Sequence, residues 1–141
     1  MTDRASLSVV IPAYNAASTL GQTLAAVKRQ SLASRIAEII VVDNASTDAT
    51  GAIAEQHGVT VLHEERRGPS AARNRGLAAA KGDIVCHVDA DPVATRHWLA
   101  ELVKPFVEAD VVWVGGKTIS FPPTTPAQRY TARCGRSEPE S

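Results

Sequence analysis

The stretch Glu38-Ile-Ile-Val-Val-Asp43 decides the fold class, because it is apolar on both faces of a short β-strand. Strands of this kind belong to parallel sheets that are covered on both sides. Similar β-branched runs recur at residues 7–12, 59–63, 83–88 and 110–114, with a further candidate at 117–121. Segments with helical spacing separate them, at 18–30, 46–58, 69–81 and from Pro92 onwards. The alternation predicts an α/β fold, a Rossmann-like three-layer sandwich with a mostly parallel central sheet.

The composition narrows the class of protein. The 141 residues include 15 Lys+Arg and 15 Asp+Glu, which gives a formal net charge of zero and argues against electrostatic binding to nucleic acid. With 44% apolar and 21% charged residues, the chain is typical of a globular domain. The last 20 residues hold four of the eight prolines. We therefore expect one α/β domain over residues 1–121, followed by an irregular Pro-rich tail over residues 122–141.

The N-terminus and the apolar runs bear on location. Met-Thr-Asp-Arg has an acid and no long apolar segment after it, unlike a secretory signal. The longest apolar runs, 39–42 and 111–114, are far shorter than the ~20 residues of a membrane span. Cys86 and Cys134 match no metal-ligand spacing, and Cys86 reads as a buried core thiol. We expect a cytoplasmic protein that could still dock peripherally on the inner face of the membrane.

Three acids follow the ends of two predicted strands. Asp43 ends the second strand, and Asp89 and Asp91 follow the fourth. Ligands of doubly wound sheets bind at the carboxyl ends of the strands, so these acids should converge on one edge. A divalent cation relieves the repulsion between them, and Asp-x-Asp supplies the hard oxygen ligands that Mg²⁺ or Mn²⁺ prefers, usually together with substrate phosphates. Taken singly, each acid is also explained as a capping or turn residue.

Other nucleotide-binding and phosphate-handling motifs fit poorly. A dinucleotide-binding G-x-G-x-x-G is missing after the first strand, where the sequence reads Pro12-Ala-Tyr-Asn15, and a P-loop is absent from the chain. Asp89-Ala-Asp91-Pro-Val93 matches the D-x-D-x-V pattern of aspartyl-nucleophile phosphatases. Those enzymes carry the pattern after the first strand, however, so a phosphatase-type hydrolase is the weaker alternative.

Four segments together point to a family. They are Ser8-Val-Val-Ile-Pro-Ala-Tyr-Asn15, Glu38-Ile-Ile-Val-Val-Asp-Asn-Ala-Ser-Thr-Asp48, Gly68-Pro-Ser-Ala-Ala-Arg-Asn-Arg-Gly76 and Val88-Asp-Ala-Asp91. In this order and spacing they resemble the family-2 glycosyltransferases with a GT-A fold. The resemblance covers about residues 6–116. It corresponds to the N-terminal, nucleotide-sugar-binding half of that family's catalytic domain, so residues 1–121 look like a partial, truncated GT-A domain.

The resemblance implies a role for each matching residue. Positions that would contact the donor are Pro12, Ala13 and Tyr14 on the nucleobase, Asp43 and Asn44 at the base edge, Arg73 and Asn74 near the diphosphate and sugar, and Asp89 and Ala90 near the ribose and sugar. Asp91 matches the metal ligand. Asn44 stands where many members have a second Asp. Tyr14 is explained equally well as a half-buried ring that closes the strand end, and Arg73 as a solvent-facing helix residue.

The implied reaction is inverting transfer of a sugar from a nucleoside-diphosphate sugar, with a UDP-sugar as the leading donor. The acceptor would be a glycan, a lipid or a small molecule. A divalent cation would neutralise charge on the departing diphosphate, and a carboxylate would take the acceptor's proton. In the family this base lies in a later Glu-Asp motif that the sequence does not match, so no catalytic residue is assigned. A catalytically incomplete nucleotide-sugar-binding module is therefore the main alternative.

Overall fold

The computed structural model describes residues 5–90 and 95–104, and these form a parallel sheet with helices on both faces. The strands are β1 (Leu7–Ala13), β2 (Ile36–Asp43), β3 (Thr60–His63) and β4 (Ile84–His87). They lie in the order β3-β2-β1-β4, and every pair is parallel. The α/β prediction is confirmed. The strands expected at 110–114 and 117–121, the tail at 122–141, and Asp91 lie outside the described residues.

Four helices connect or follow these strands in the described ranges. They are α1 (Leu20–Lys28), α2 (Thr50–Gln56), α3 (Pro69–Ala79) and α4 (Trp98–Val103), and a 3₁₀ turn covers Ala33–Arg35. The start of α3 at Pro69 agrees with the sequence prediction, since proline suits the first turn of a helix. The helix that carries Trp98 begins at that residue, after a non-helical stretch at 95–97, so it does not run on from Pro92 as predicted, and Pro92 itself lies outside the described residues. No helix in 5–90 or 95–104 is long and apolar enough to cross a membrane.

Two apolar clusters hold the layers together. The larger one lies between the sheet and helices α1, α2 and α4, and its fully buried side chains include Val9, Ile11, Leu24, Val41 and Leu99. The smaller one lies on the opposite face, under α3, and consists of Val10, Ile40, Val42 and Ala72. Val9 and Ile11 of β1 belong to the larger cluster and Val10, between them, belongs to the smaller one, because successive strand residues point to opposite faces. Cys86 is buried in the larger cluster, and this burial raises the pKa of its thiol to about 11.

The position of α3 is set by a close approach at Gly76. A Cβ added there would stand 2.3 Å from Cγ1 of Val10 and 3.2 Å from Cγ2 of Val42. Glycine therefore lets the helix lie directly on β1 and β2. Beyond the end of α3, the Ser8 hydroxyl donates to Glu38 Oε2 at 2.6 Å, and the amide of Gly82 donates to the same hydroxyl at 2.8 Å. These contacts fix α3 so that its N-terminus reaches the carboxyl edge of the sheet.

Candidate functional site

A cavity of about 240 Å³ opens at the carboxyl edge of the sheet. Five residues singled out in the sequence lie in its wall, namely Pro12, Ala13, Tyr14, Asn44 and Asp89. Four others in the wall were missed, namely Arg67, Gly68, Pro69 and Ala72. The sequence did contain a signal for residues 67–69, because a helix predicted to start at Pro69 must place the residues at its start at the carboxyl edge of the sheet. The cavity lies where ligands of doubly wound sheets bind.

The Tyr14 side chain forms one wall of the cavity. It follows β1 directly and is 48% exposed, so its ring is open to a ligand. The guanidinium of Arg67 lies beside it, with Nη1 donating to the Tyr14 hydroxyl at 2.8 Å and Cζ 5.1 Å from the ring centroid. Aromatic faces attract cations at this separation. Tyr14 and Arg67 therefore form one continuous aromatic and cationic surface at the mouth of the cavity.

The loops after β1 and β2 are hydrogen-bonded to each other. The amide of Asn15 donates to the Ser46 hydroxyl at 3.0 Å, and the amide of Thr47 donates to Asn15 Oδ1 at 2.8 Å. Asn15 and Ala45 have φ values of 47° and 57°, in the left-handed region that few non-glycine residues adopt. This paired loop geometry holds in place the backbone that directly follows Tyr14.

Asp48 anchors the same loop to the start of α2. Its carboxylate accepts the backbone amides of Ala17 and Thr50 and the Thr50 hydroxyl. The hydrogen bond from the Thr50 side chain is the main reason that the pKa of Asp48 is lowered from its ordinary value. Asp48 therefore ties the loop after β1 to the first residue of α2.

Asp43 lies at the sheet edge, but its carboxylate turns away from the cavity wall. Oδ1 accepts the Ser46 amide at 3.1 Å, and Oδ2 lies 3.6 Å from Nδ1 of His63. Gly51 leaves room for this orientation, since a Cβ there would stand 2.9 Å from Oδ2. The neighbouring residue Asn44 reaches the cavity instead.

Asn44 uses its whole amide group to hold the loop that leads into α3. It is 5% exposed. Its Nδ2 donates to the carbonyl oxygens of Glu64 at 3.0 Å and Arg66 at 2.7 Å, and its Oδ1 accepts the Gly68 amide at 2.9 Å. A carboxylate has no hydrogen to donate to those two carbonyls. In this chain, Asn at the position where many family members have Asp therefore has a structural role.

Arg73 and Asp89 meet across the edge of the sheet. Nη2 of Arg73, on α3, lies 3.4 Å from Oδ1 of Asp89, just after β4. Both groups are partly exposed, so the pair can exchange partners with a ligand. Burial, followed by the charge of Arg73, lowers the pKa of nearby His87. Asn74 is exposed on α3, outside the cavity wall.

The chain after β4 is fixed from α1. Ala90 is buried, and its carbonyl oxygen accepts the Thr23 hydroxyl at 2.8 Å. Asp43 and Asp89 lie at the same sheet edge because β2 and β4 both pair with β1. Across residues 5–90 and 95–104, no three His, Cys, Asp or Glu side chains gather as a metal-binding group. Asp89, with a 64% exposed side chain beside the cavity, fits a cation that is held partly by phosphate oxygens.

These features define the class of protein. A parallel sheet with a cavity at its carboxyl edge, and an acid after its fourth strand, is what the N-terminal half of a GT-A fold contains. Residues 8–139 match Glycosyl transferase family 2, and the chain belongs to that family. It is 34% identical over 132 residues to glycosyltransferase AglE of Haloferax volcanii, covering 88% of this chain and 43% of that protein.

Solved structures agree with this assignment. Glucosyl-3-phosphoglycerate synthase from Mycobacterium tuberculosis, in complex with Mn²⁺, UDP and glucosyl-3-phosphoglycerate, is similar with a TM-score of 0.64 and 31% identity. The match covers 72% of this chain and 39% of that one. S. aureus TarS in complex with UDP gives a TM-score of 0.62 and 30% identity, over 68% of this chain and 30% of that one. The chain thus spans less than half the length of these relatives.

Proposed function

We propose that the chain binds a nucleoside-diphosphate sugar together with a divalent cation, and that it supplies the donor site of an inverting glycosyltransferase. The observation that carries this proposal is the cavity at the carboxyl edge, with the exposed Tyr14 ring and the Asp89 carboxylate both in its wall. Two solved relatives that contain UDP, one of them with Mn²⁺, support a UDP-sugar as the donor. The acceptor would be a glycan, a lipid or a small molecule.

The base and the diphosphate would occupy different parts of this cavity. The base would lie against Pro12, Ala13 and Tyr14, which form its apolar side. The diphosphate would lie towards α3, because Pro69 and Ala72 at the start of that helix also line the cavity. The first turn of a helix presents unpaired amides and a partial positive charge, which favour phosphate. Arg73, on the same helix, would add a charge-assisted hydrogen bond.

Asp89 and Asp91 would hold the Mg²⁺ or Mn²⁺. When bound, the cation supplies Lewis-acid stabilisation of the charge on the departing diphosphate, a contribution of several kcal/mol. Arg73 would leave Asp89 and pair with a phosphate, so that the Asp89 carboxylate and the phosphate would each have a positive partner, the cation and the guanidinium respectively. The phosphatase-type alternative gains no support, because Asp89 follows β4 rather than the first strand.

A thermal-shift panel of UDP, GDP and ADP and their sugars, with and without Mn²⁺, tests the proposal. A nucleotide present at 100 times its Kd should stabilise the chain by ~2.7 kcal/mol. Asp91→Asn should remove the dependence on Mn²⁺, whereas Glu55→Gln, which removes an exposed acid on α2, should not. If no nucleotide raises the melting temperature in the presence of Mn²⁺, the donor-site proposal is wrong.

A measurement of UDP release distinguishes an active glycosyltransferase from a module of the same fold that only binds the donor. Release of UDP from the bound UDP-sugar in the presence of Mn²⁺ would support transfer chemistry. Tight binding without any UDP release would instead support the catalytically incomplete module.

A further inference from the structure

We infer that Arg67 selects the nucleobase, and that its guanidinium favours bases with a carbonyl acceptor, uracil or guanine, over cytosine and adenine. The inference rests on the proposed function, since it concerns the same cavity. It assigns a specificity-determining role to a residue that lies between the recognised sequence segments.

The position of the guanidinium supports this role. Arg67 lines the cavity, and one of its N–H groups donates to the Tyr14 hydroxyl at 2.8 Å. With Nη1 on the hydroxyl and Cζ 5.1 Å from the ring centroid, the guanidinium is displaced towards the hydroxyl end of the ring. The rest of the exposed ring face stays open to a stacked base. A base on Tyr14 would therefore meet the guanidinium at its edge.

The backbone that carries Arg67 is anchored on both sides. Asn44 binds the carbonyl of Arg66 and the amide of Gly68, the two residues that flank Arg67. Gly68 has a φ of 121°, where residues with a side chain are strained, so the chain turns sharply into α3 at this point. The Glu64 carboxylate also accepts the Arg66 amide at 3.0 Å. This anchoring reduces the entropy that Arg67 loses when a ligand binds.

The chemistry of the guanidinium gives the selectivity. Arginine has five N–H donors and no acceptor, and Tyr14 takes only one of these donors. Uracil and guanine present carbonyl oxygens, whereas cytosine and adenine present an amino group at the corresponding place. An amino group facing the guanidinium would place donor against donor, so cytosine and adenine would gain no hydrogen bond there, whereas uracil and guanine would gain a charge-assisted one.

Arg66 offers a matched control within the same loop. It carries the same charge one residue earlier and is exposed, but it is not in the cavity wall. Its Nε donates to Glu64 Oε1 at 3.2 Å. Removing Arg66 changes the net charge near the site as much as removing Arg67 does, without changing what a base would meet.

The test is calorimetric titration of the chain with UDP, CDP, GDP and ADP in the presence of Mn²⁺. We expect UDP to bind about 10-fold more tightly than CDP, and GDP more tightly than ADP, a tenfold ratio being 1.4 kcal/mol. Arg67→Ala should bring both ratios close to one, mainly by weakening UDP and GDP. Arg66→Ala should leave the ratios unchanged. Tyr14→Phe keeps the ring but removes the hydroxyl that holds the guanidinium, and should lower the ratios in part.

Three results would overturn the inference. If Arg67→Ala weakens UDP and CDP binding equally, Arg67 contacts the phosphates or holds the loop in place and does not select the base. If Arg66→Ala lowers the UDP-to-CDP affinity ratio as much as Arg67→Ala does, the preference is due to net charge near the site and not to Arg67. If the wild-type chain binds UDP and CDP equally well, there is no base preference for Arg67 to explain. If none of the four nucleotides binds, the donor site itself is refuted and the base selection with it, which is a different result from binding without discrimination.

Discussion

Replacing Gly76 by alanine should lower the free energy of unfolding, although alanine is the better helix former. The added Cβ would stand 2.3 Å from Cγ1 of Val10, which is fully buried and stiff about χ1. Overpacking of this kind costs ~1–3 kcal/mol, and so close an approach to two buried valines places the cost at the upper end. Alanine recovers ~1 kcal/mol of helix propensity. The net expectation is a loss of about 2 kcal/mol, or about 8 °C in Tm for a chain of this size.

The assay is urea denaturation together with a thermal scan, and the chain offers a matched control. Gly21 lies in α1, and a Cβ there would be 3.6 Å from Nε2 of His57, an ordinary contact. Gly21→Ala should therefore stabilise the protein by up to ~1 kcal/mol, the opposite sign. Val10→Ala removes the methyl groups that the new Cβ would strike. Combined with Gly76→Ala, it should show a favourable coupling energy of at least ~1 kcal/mol in a double-mutant cycle.

The same variant connects packing to the site. Gly68, Pro69 and Ala72 at the start of α3 form part of the cavity wall, so a helix pushed off the sheet would also weaken nucleotide binding. If Gly76→Ala is as stable as Gly21→Ala, or if the coupling with Val10 is zero, then α3 does not rest on β1 as closely as argued. The account of how the cavity wall is positioned would then be wrong.

Two further predictions concern polar side chains that hydrogen-bond to the backbone of neighbouring loops. Hydrogen bonds from the Ser8 hydroxyl and from the Lys81 amide lower the pKa of Glu38 below its ordinary 4.5. The ionised Glu38 therefore stabilises the folded protein fully above pH 4.5, and this stabilisation is lost as the pH falls through the lower pKa of the folded state. Urea denaturation at pH 7 and pH 3 measures the free energy of unfolding of wild type and of Glu38→Gln. The difference between the two free energies should shrink at pH 3, and a constant difference would contradict this. Asn44→Asp should cost ~1–3 kcal/mol and speed amide hydrogen exchange in residues 64–68, because two carbonyls lose their donor. Unchanged exchange there would show that Asn44 does not hold the loop.

Local sequence was enough to predict β1 to β4, which are short apolar runs like the one in β2. It was also enough to predict α3, because Gly68-Pro69 marks its start. Local sequence was not enough to predict where α4 begins. The amide of Leu99 donates to Oε1 of Gln30 at 3.0 Å, and Nε2 of Gln30 donates to the carbonyl of Thr95 at 2.6 Å. A buried side chain from the end of α1 thus satisfies the first turn of α4, and this cap is 69 residues away in sequence.

The same reasoning explains which site residues were predicted. Tyr14 follows β1 directly and Asp89 follows β4 after one intervening residue, so the strand ends alone place them at the edge. Arg67 could not be found in this way, because its contact is with Tyr14, 53 residues earlier, and depends on side-chain conformation. Asp43 was placed correctly at the edge, but the direction of its carboxylate depends on Ser46 and on the space left by Gly51.

The division of labour between amides and charges follows from these contacts. Asn44 is buried and holds the loop before α3 with a neutral side chain, which avoids the desolvation cost of a buried charge at that position. Three charged groups near the cavity, Arg67, Arg73 and Asp89, stay partly or largely exposed. An exposed ion pair such as Arg73–Asp89 contributes little stability, so a ligand can replace it at low cost. Under the proposed function, a phosphate would take Arg73 while a cation takes Asp89. A phosphate that takes Arg73 leaves Asp89 without its positive partner, and the cation supplies a new one. A cation that takes Asp89 likewise leaves Arg73 without its negative partner, and the phosphate supplies a new one. Nucleotide and metal should therefore each strengthen the binding of the other.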